Sequence, residues 1–220
     1  LLDISKNRLC SLPENIGFLT NLKRLLLYSN HLDTLPESVG QLHRLEHLDV
    51  GVNSLTTLPN LNNLKSLLMC EVNHNQLTCI HNVCGIRSVE RLIASHNNLV
   101  ELPENIHNLI NVSILMIDDN KDVRRFPKCI GSLKKLGTLV WGGCGIDSFP
   151  ASMCKLINLH SIYFHHFYPV CGEHKNPIIY PPIFRLAIPP QHADKFDIAP
   201  LYWHTRYHHR FPKAFREMHL

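Results

Sequence analysis

The sequence predicts an α/β solenoid with a proline-rich C-terminal extension. Short parallel strands would stack into one curved sheet on a concave face, and helical turns and irregular chain would cover the convex face. Two periodicities and one apolar pattern predict it. Prolines fall at Pro13, Pro36, Pro59, Pro103, Pro127 and Pro150, each preceded by Leu or Phe. Asparagines repeat in step at Asn7, Asn30, Asn53, Asn75, Asn97 and Asn120, spaced by 22 or 23 residues. Each Asn is followed two or three residues later by an apolar residue, from Leu9 to Val123. A fixed period of this length is the signature of stacked units, none of which can bury its apolar face alone.

Aligned on the Asn, units begin at Leu22, Leu45, Leu67, Val89, Val112, Leu136 and Leu159, with a half unit before them from Leu1. The regular form is L-x-x-L-x-L-x-x-N-x-L-x-x-L-P-x-x-V/I-G-x-L, as in residues 22–44. The L-x-x-L-x-L segment reads as a strand whose alternate side chains point inward. The Asn at an inward turn can pair with backbone groups of neighbouring units, since buried polar backbone must be satisfied. Leu-Pro stops the strand and turns the chain, because Pro lacks an N–H and fixes φ. Ile16-Gly17, Val39-Gly40 and Ile130-Gly131 then supply inward residues for an outer helical turn. The units from Leu45 and Leu67 are one residue short, and the unit from Val112 carries an extra residue around Lys121. His81 stands in the Pro place; Cys144 and Phe167 stand in the Asn place. The predicted organisation is a solenoid of about eight units over 1–167 and a cap or extension over 168–220.

This repeat resembles the leucine-rich-repeat family, in particular its intracellular, Leu-Pro-rich, 23-residue class, to which Ras-pathway scaffolds of the Shoc2 type and Scribble-type polarity proteins belong. The resemblance covers about residues 1–167. It implies a binding surface for another protein and does not name the ligand.

Composition fits that reading. Forty-five per cent of the 220 residues are hydrophobic, which is ample for a core. No apolar run approaches the roughly 18–20 residues a membrane span needs. The first residue, Leu1, falls within a repeat strand, so the chain reads as continuing upstream. Net charge is +4, and the segment from Tyr168 holds seven Lys/Arg against four acids, which places most of the excess there. The rest is close to neutral, too little positive charge to argue for nucleic acid. The eight cysteines are scattered through different phases of the repeat, with Cys70 and Cys84 at inward positions. They read as free thiols serving as small hydrophobes in a reducing compartment, so the expected location is cytoplasmic. One glycosylation acceptor pattern occurs, at Asn111-Val112-Ser113.

Between the inward strand residues, alternate side chains should point out from the concave face. The middle lane runs Asp3, Leu26, Asp49, Glu71, Ile93, Met116, Val140, Tyr163, and the lane before it includes His47, Arg91 and Ile114. A further lane carries Ser5, Tyr28, Gly51, Asn73, Ser95, Asp118 and Gly142. Charges mix in the N-terminal half, whereas Ile93, Ile114, Met116, Val140 and Tyr163 form an apolar group in the C-terminal half. Contiguous exposed apolar residues mark interaction sites, and aromatic, Met and Arg residues are enriched in interface cores. The candidate partner-binding residues are therefore Asp49, Glu71, Arg91, Ile93, Ile114, Met116, Val140 and Tyr163. The same apolar group is also consistent with β-formers chosen for strand propensity, or with a surface covered by the chain's own C-terminal segment. His74, His96, His165 and His166 line one side and read as solvated surface residues.

Residues 168–220 contain eight prolines and six histidines, and the prolines exclude a long helix before about Leu201. One role is a cap over the last unit, using Ile178, Ile179, Ile183 and Phe184, because an open solenoid end exposes its core. A second, compatible role is a zinc clip: Cys171-x-x-His174 and His204-x-x-x-His208 offer four ligands suited to tetrahedral zinc. The Cys-Gly-x-His-x-x-Pro stretch also resembles the cysteine-paired tails of some animal leucine-rich-repeat proteins. Apart from that zinc, no cofactor is expected.

Local signatures of catalysis are missing: there is no G-x-S-x-G, G-x-x-x-x-G-K-S/T or H-E-x-x-H, and no G-x-G-x-x-G that opens a helix after a strand. Gly142-Gly143-Cys144-Gly145 occupies a strand-to-turn phase of the repeat, and Asp118-Asp119 reads as a solvated or partner-contacting pair. The expected function is a non-catalytic protein-interaction scaffold in intracellular signal transduction, binding on the concave face. The alternative is a target-recognition adaptor, for ubiquitin transfer or immune sensing, with an effector domain upstream.

Overall fold

A computed structural model describes residues 1–163. The extension over 168–220, with its cap residues and its zinc ligands Cys171, His174, His204 and His208, lies outside the described residues, as does the end of the solenoid over 164–167.

Eight strands form one open sheet in sequence order, every neighbouring pair parallel. They are β1 (Leu2–Asp3), β2 (Arg24–Leu26), β3 (His47–Asp49), β4 (Met69–Glu71), β5 (Arg91–Ile93), β6 (Ile114–Met116), β7 (Thr138–Val140) and β8 (Ser161–Tyr163). Register is constant along the array: Leu25 pairs with Leu48, Leu48 with Cys70, Cys70 with Leu92, and so on to Ile162. The central residue of each strand from β2 to β8 is buried in the core, and its two neighbours face the open side.

The convex side is built mainly from 3-10 turns, at Glu14–Phe18, Glu37–Gln41, Glu104–Asn108, Ile130–Ser132 and Ala151–Lys155. The Leu-Pro step starts them. Pro13, Pro36, Pro103 and Pro150 sit in extended conformation, and their carbonyls accept the N–H groups of Ile16, Val39, Ile106 and Met153 at 3.0–3.1 Å. His81, in the Pro place, begins an α-turn instead (His81–Cys84), with Val83 and Cys84 both donating to Ile80. The short unit from Leu45 has no helical turn in this position; residues 59–66 run as plain turns. Glycine at the convex turn answers to crowding: a Cβ on Gly131 would stand 2.0 Å from the Ser152 carbonyl oxygen of the next unit.

The asparagines form the ladder that their spacing predicts. Asn75 donates to Val50 O of the preceding unit at 3.0 Å and to Val72 O of its own at 3.1 Å, while its Oδ1 accepts Leu55 N–H at 2.9 Å. Asn30, Asn53, Asn97 and Asn120 repeat this arrangement. Immediately before each Asn the backbone is left-handed: Lys6, Ser29, Val52, His74, His96 and Asp119 all have φ between 51° and 57°. Sequence reading missed this corner because glycine stands there in one unit alone, at Gly143. For Val52, a β-branched residue, the conformation is strained.

The ladder ends at the 24-residue unit from Val112 to the start of the next at Leu136. Cys144 replaces Asn, and its thiol donates to Ile117 O of the preceding unit at 3.1 Å. With no Asn side chain in that place, Val123 N–H turns back to Asn120 O at 3.2 Å, across the extra residue Lys121. The extra residue also explains Gly145, where a Cβ would meet Lys121 O at 2.8 Å. From here the core turns aromatic: Trp141 packs edge-on against Phe126 and Phe149, with centroids 5.5 and 5.7 Å apart.

Candidate protein-binding face

The parallel register puts the candidate residues into two adjacent lanes. Asp49, Glu71, Ile93, Met116, Val140 and Tyr163 are consecutive Cα partners across β3–β8. Arg91 and Ile114 are partners in the lane beside them. All eight are partly exposed, so the strand alternation expected from sequence is met and the residues do come together. The apolar members form one continuous strip over β5–β8, since neighbouring strands lie about 4.8 Å apart.

The N-terminal half of the face is mixed, with Leu26 and Met69 set among charged residues. His47 Nε2 lies 3.3 Å from Glu71 Oε1. Asp49 accepts Gly51 N–H at 2.9 Å. Even so, burial pushes the Asp49 carboxyl above its ordinary range, with the Glu71 charge adding to the rise. Asp3, in β1, moves the other way, because Ser5 hydrogen-bonds its carboxylate. A raised folded-state pKa means that ionised Asp49 costs stability at neutral pH. That cost disappears once pH falls below the ordinary 3.8, where folded and unfolded chains are both protonated. Asp49→Asn should therefore melt higher than the parent at neutral pH, and the gap should close on acidification; a lower midpoint at neutral pH would contradict this.

One lane departs from expectation. Ser95, expected in the open, is buried, and its hydroxyl donates to Asp118 Oδ1. Beside it His96 Nε2 lies 3.2 Å from Asp119 Oδ2, and the His74 and His96 rings stack at 4.0 Å. Burial, followed by the neighbouring His96, lowers the pKa of His74. These residues read as separate solvated groups in the sequence. His74, His96 and Asp119 share a phase, each preceding a ladder Asn, but phase does not give the pairing of their side chains. An open cleft of about 500 Å³ adjoins them, lined by Asn75, His96, Asn97, Asn98, Asp119, Lys121 and Asp122.

The buried thiols are not activated nucleophiles. Burial pushes Cys70 up to about 12 and Cys144 up to about 11, and raises Cys84 as well. None of the seven described cysteines is in a disulfide. Among the described residues, no helix is long and apolar enough to cross a membrane.

An open parallel sheet with Asn-laddered turns and a thin convex side is the leucine-rich-repeat solenoid. Solved structures of that class match it. A leucine-rich-repeat protein of Leptospira interrogans is 30% identical over 76% of this chain and 50% of its own, with a TM-score of 0.57. The ectodomain of the Arabidopsis thaliana receptor kinase GASSHO1/SCHENGEN3, solved in complex with Casparian strip integrity factor 2, is 29% identical over 70% of this chain and 19% of its own, with a TM-score of 0.62. The leucine-rich-repeat domain of the type III effector XopL shares the fold at 20% identity, covering 83% of this chain and 63% of its own, with a TM-score of 0.69. The chain thus spans half the length of the Leptospira protein and less of the receptor. No family model and no curated protein matches the sequence.

Proposed function

We propose that this chain is a protein-binding module with no catalytic chemistry of its own, holding a partner protein across the open face of its sheet. One observation carries the reading: Ile93, Met116, Val140 and Tyr163 are in-register neighbours on the solvent side of the sheet, with Ile114 beside them, whereas apolar and charged residues are mixed in the N-terminal half. Strand propensity alone explains each residue singly but does not explain their contiguity. The strip would supply the apolar centre of the interface, while Asp49, Glu71 and Arg91 would set register and choice of partner. The receptor structure solved with its ligand supports a binding role for this fold. The unpaired cysteines and the Leu-Pro repeat favour an intracellular, cytoplasmic setting and a scaffold role in signal transduction.

The test is affinity capture with the double variant Met116→Glu, Val140→Lys beside the parent. Proteins retained by the parent should be lost from the variant, with unchanged circular dichroism, because two charges would be forced into a desolvated interface. Equal capture by both proteins would remove the strip from consideration.

A further inference from the structure

We propose that His96, Asp118 and Asp119 form a binding site for a divalent transition-metal ion of the zinc class. The site lies at the edge of the sheet face and does not depend on the partner strip. One ligand atom from each residue falls within 4.8 Å of the other two. His96 Nε2 and Asp119 Oδ2 are 3.2 Å apart. Two donors bound tetrahedrally to one zinc ion, at about 2.0–2.1 Å each, are separated by about 3.3 Å, so this pair already has the spacing of ligands on a shared ion. Ser95 Oγ donates to Asp118 Oδ1, orienting that carboxylate and leaving Oδ2 for an ion. The His74 ring, stacked at 4.0 Å, restricts rotation of the His96 imidazole.

Space agrees with this assignment. Asp119 and His96 both line the 500 Å³ cleft, where water can complete the fourth position. An imidazole among the donors selects zinc, cobalt, nickel or copper over magnesium and calcium, which prefer oxygen alone.

The experiment titrates the full chain with Co²⁺ and displaces it with Zn²⁺, following the visible absorption of bound cobalt. The two variants are Asp119→Asn and His96→Asn; both positions are left-handed, a conformation that Asn tolerates, so the fold should survive. A third protein, Cys171→Ser with His174→Ala, silences the candidate zinc ligands of the C-terminal segment. In the Cys171/His174 variant, the expected result is a cobalt spectrum without the near-ultraviolet band of a thiolate ligand. Adding Asp119→Asn or His96→Asn to that variant should weaken the binding by more than about tenfold. No bound cobalt, or binding unaltered by His96→Asn, would overturn the proposal. So would binding abolished by the Cys171/His174 variant.

Discussion

Trp141→Ala is expected to lower stability by about 3–5 kcal/mol, the usual cost of emptying a large aromatic from a core. Trp141 is buried against Phe126 and Phe149 at the junction of the last units. In a solenoid each unit contacts its neighbours alone, so the damage should be local. Hydrogen exchange should show lost protection from about Val112 onward, with the units around Leu48 and Cys70 still protected. A uniform loss along the whole chain would mean that the array unfolds as one block, contrary to this expectation.

Asn75→Ala is expected to cost about 1–3 kcal/mol, the penalty for one buried backbone group left without a partner. The change strands Leu55 N–H, while Val50 O and Val72 O keep donors in Asn53 and Asn97. Leu55 is fully buried, so water cannot replace the lost acceptor without opening the core. Equal midpoints for the Asn75 variant and the parent would remove the ladder as a source of stability.

Most of this architecture was legible because its causes are local and repeat. Leu-Pro before each convex turn, Asn at each inward corner and Leu at alternate strand positions have the same chemical reason in every unit. Their phase alone placed the eight strands and the two outward lanes. Geometry that does not depend on residue type was harder to read. The left-handed corner before each Asn accepts Lys, Ser, Val, His and Asp, so no composition marks it. The burial of Ser95 depends on its bond to a side chain 23 residues away. That His74 and His96 share one side was legible from their phase; the contacts of His96 with Asp119 and of Ser95 with Asp118 depend on side-chain conformation, which phase does not give. Cys144 was placed correctly at an Asn position; its coupling to the extra residue at Lys121 emerges in the hydrogen bonds of Val123 and Ile117.

The pitch of the sheet also sets a ruler. Strands spaced by about 4.8 Å make the eight described strands about 34 Å across. The apolar strip from Ile93 to Tyr163 crosses three of those spacings, about 14 Å. An extended peptide laid along the strip advances about 3.3–3.6 Å per residue, so roughly four of its residues cover it; a single α-helix laid across, at about 10–12 Å wide, nearly does the same. The sticky part of the partner is therefore expected to be a short linear segment or one helix. On the proposed reading, the rest of the partner would meet the half of the face that carries Asp49, Glu71 and Arg91, which would impose sequence preference on a ligand whose apolar footprint is set by strand spacing.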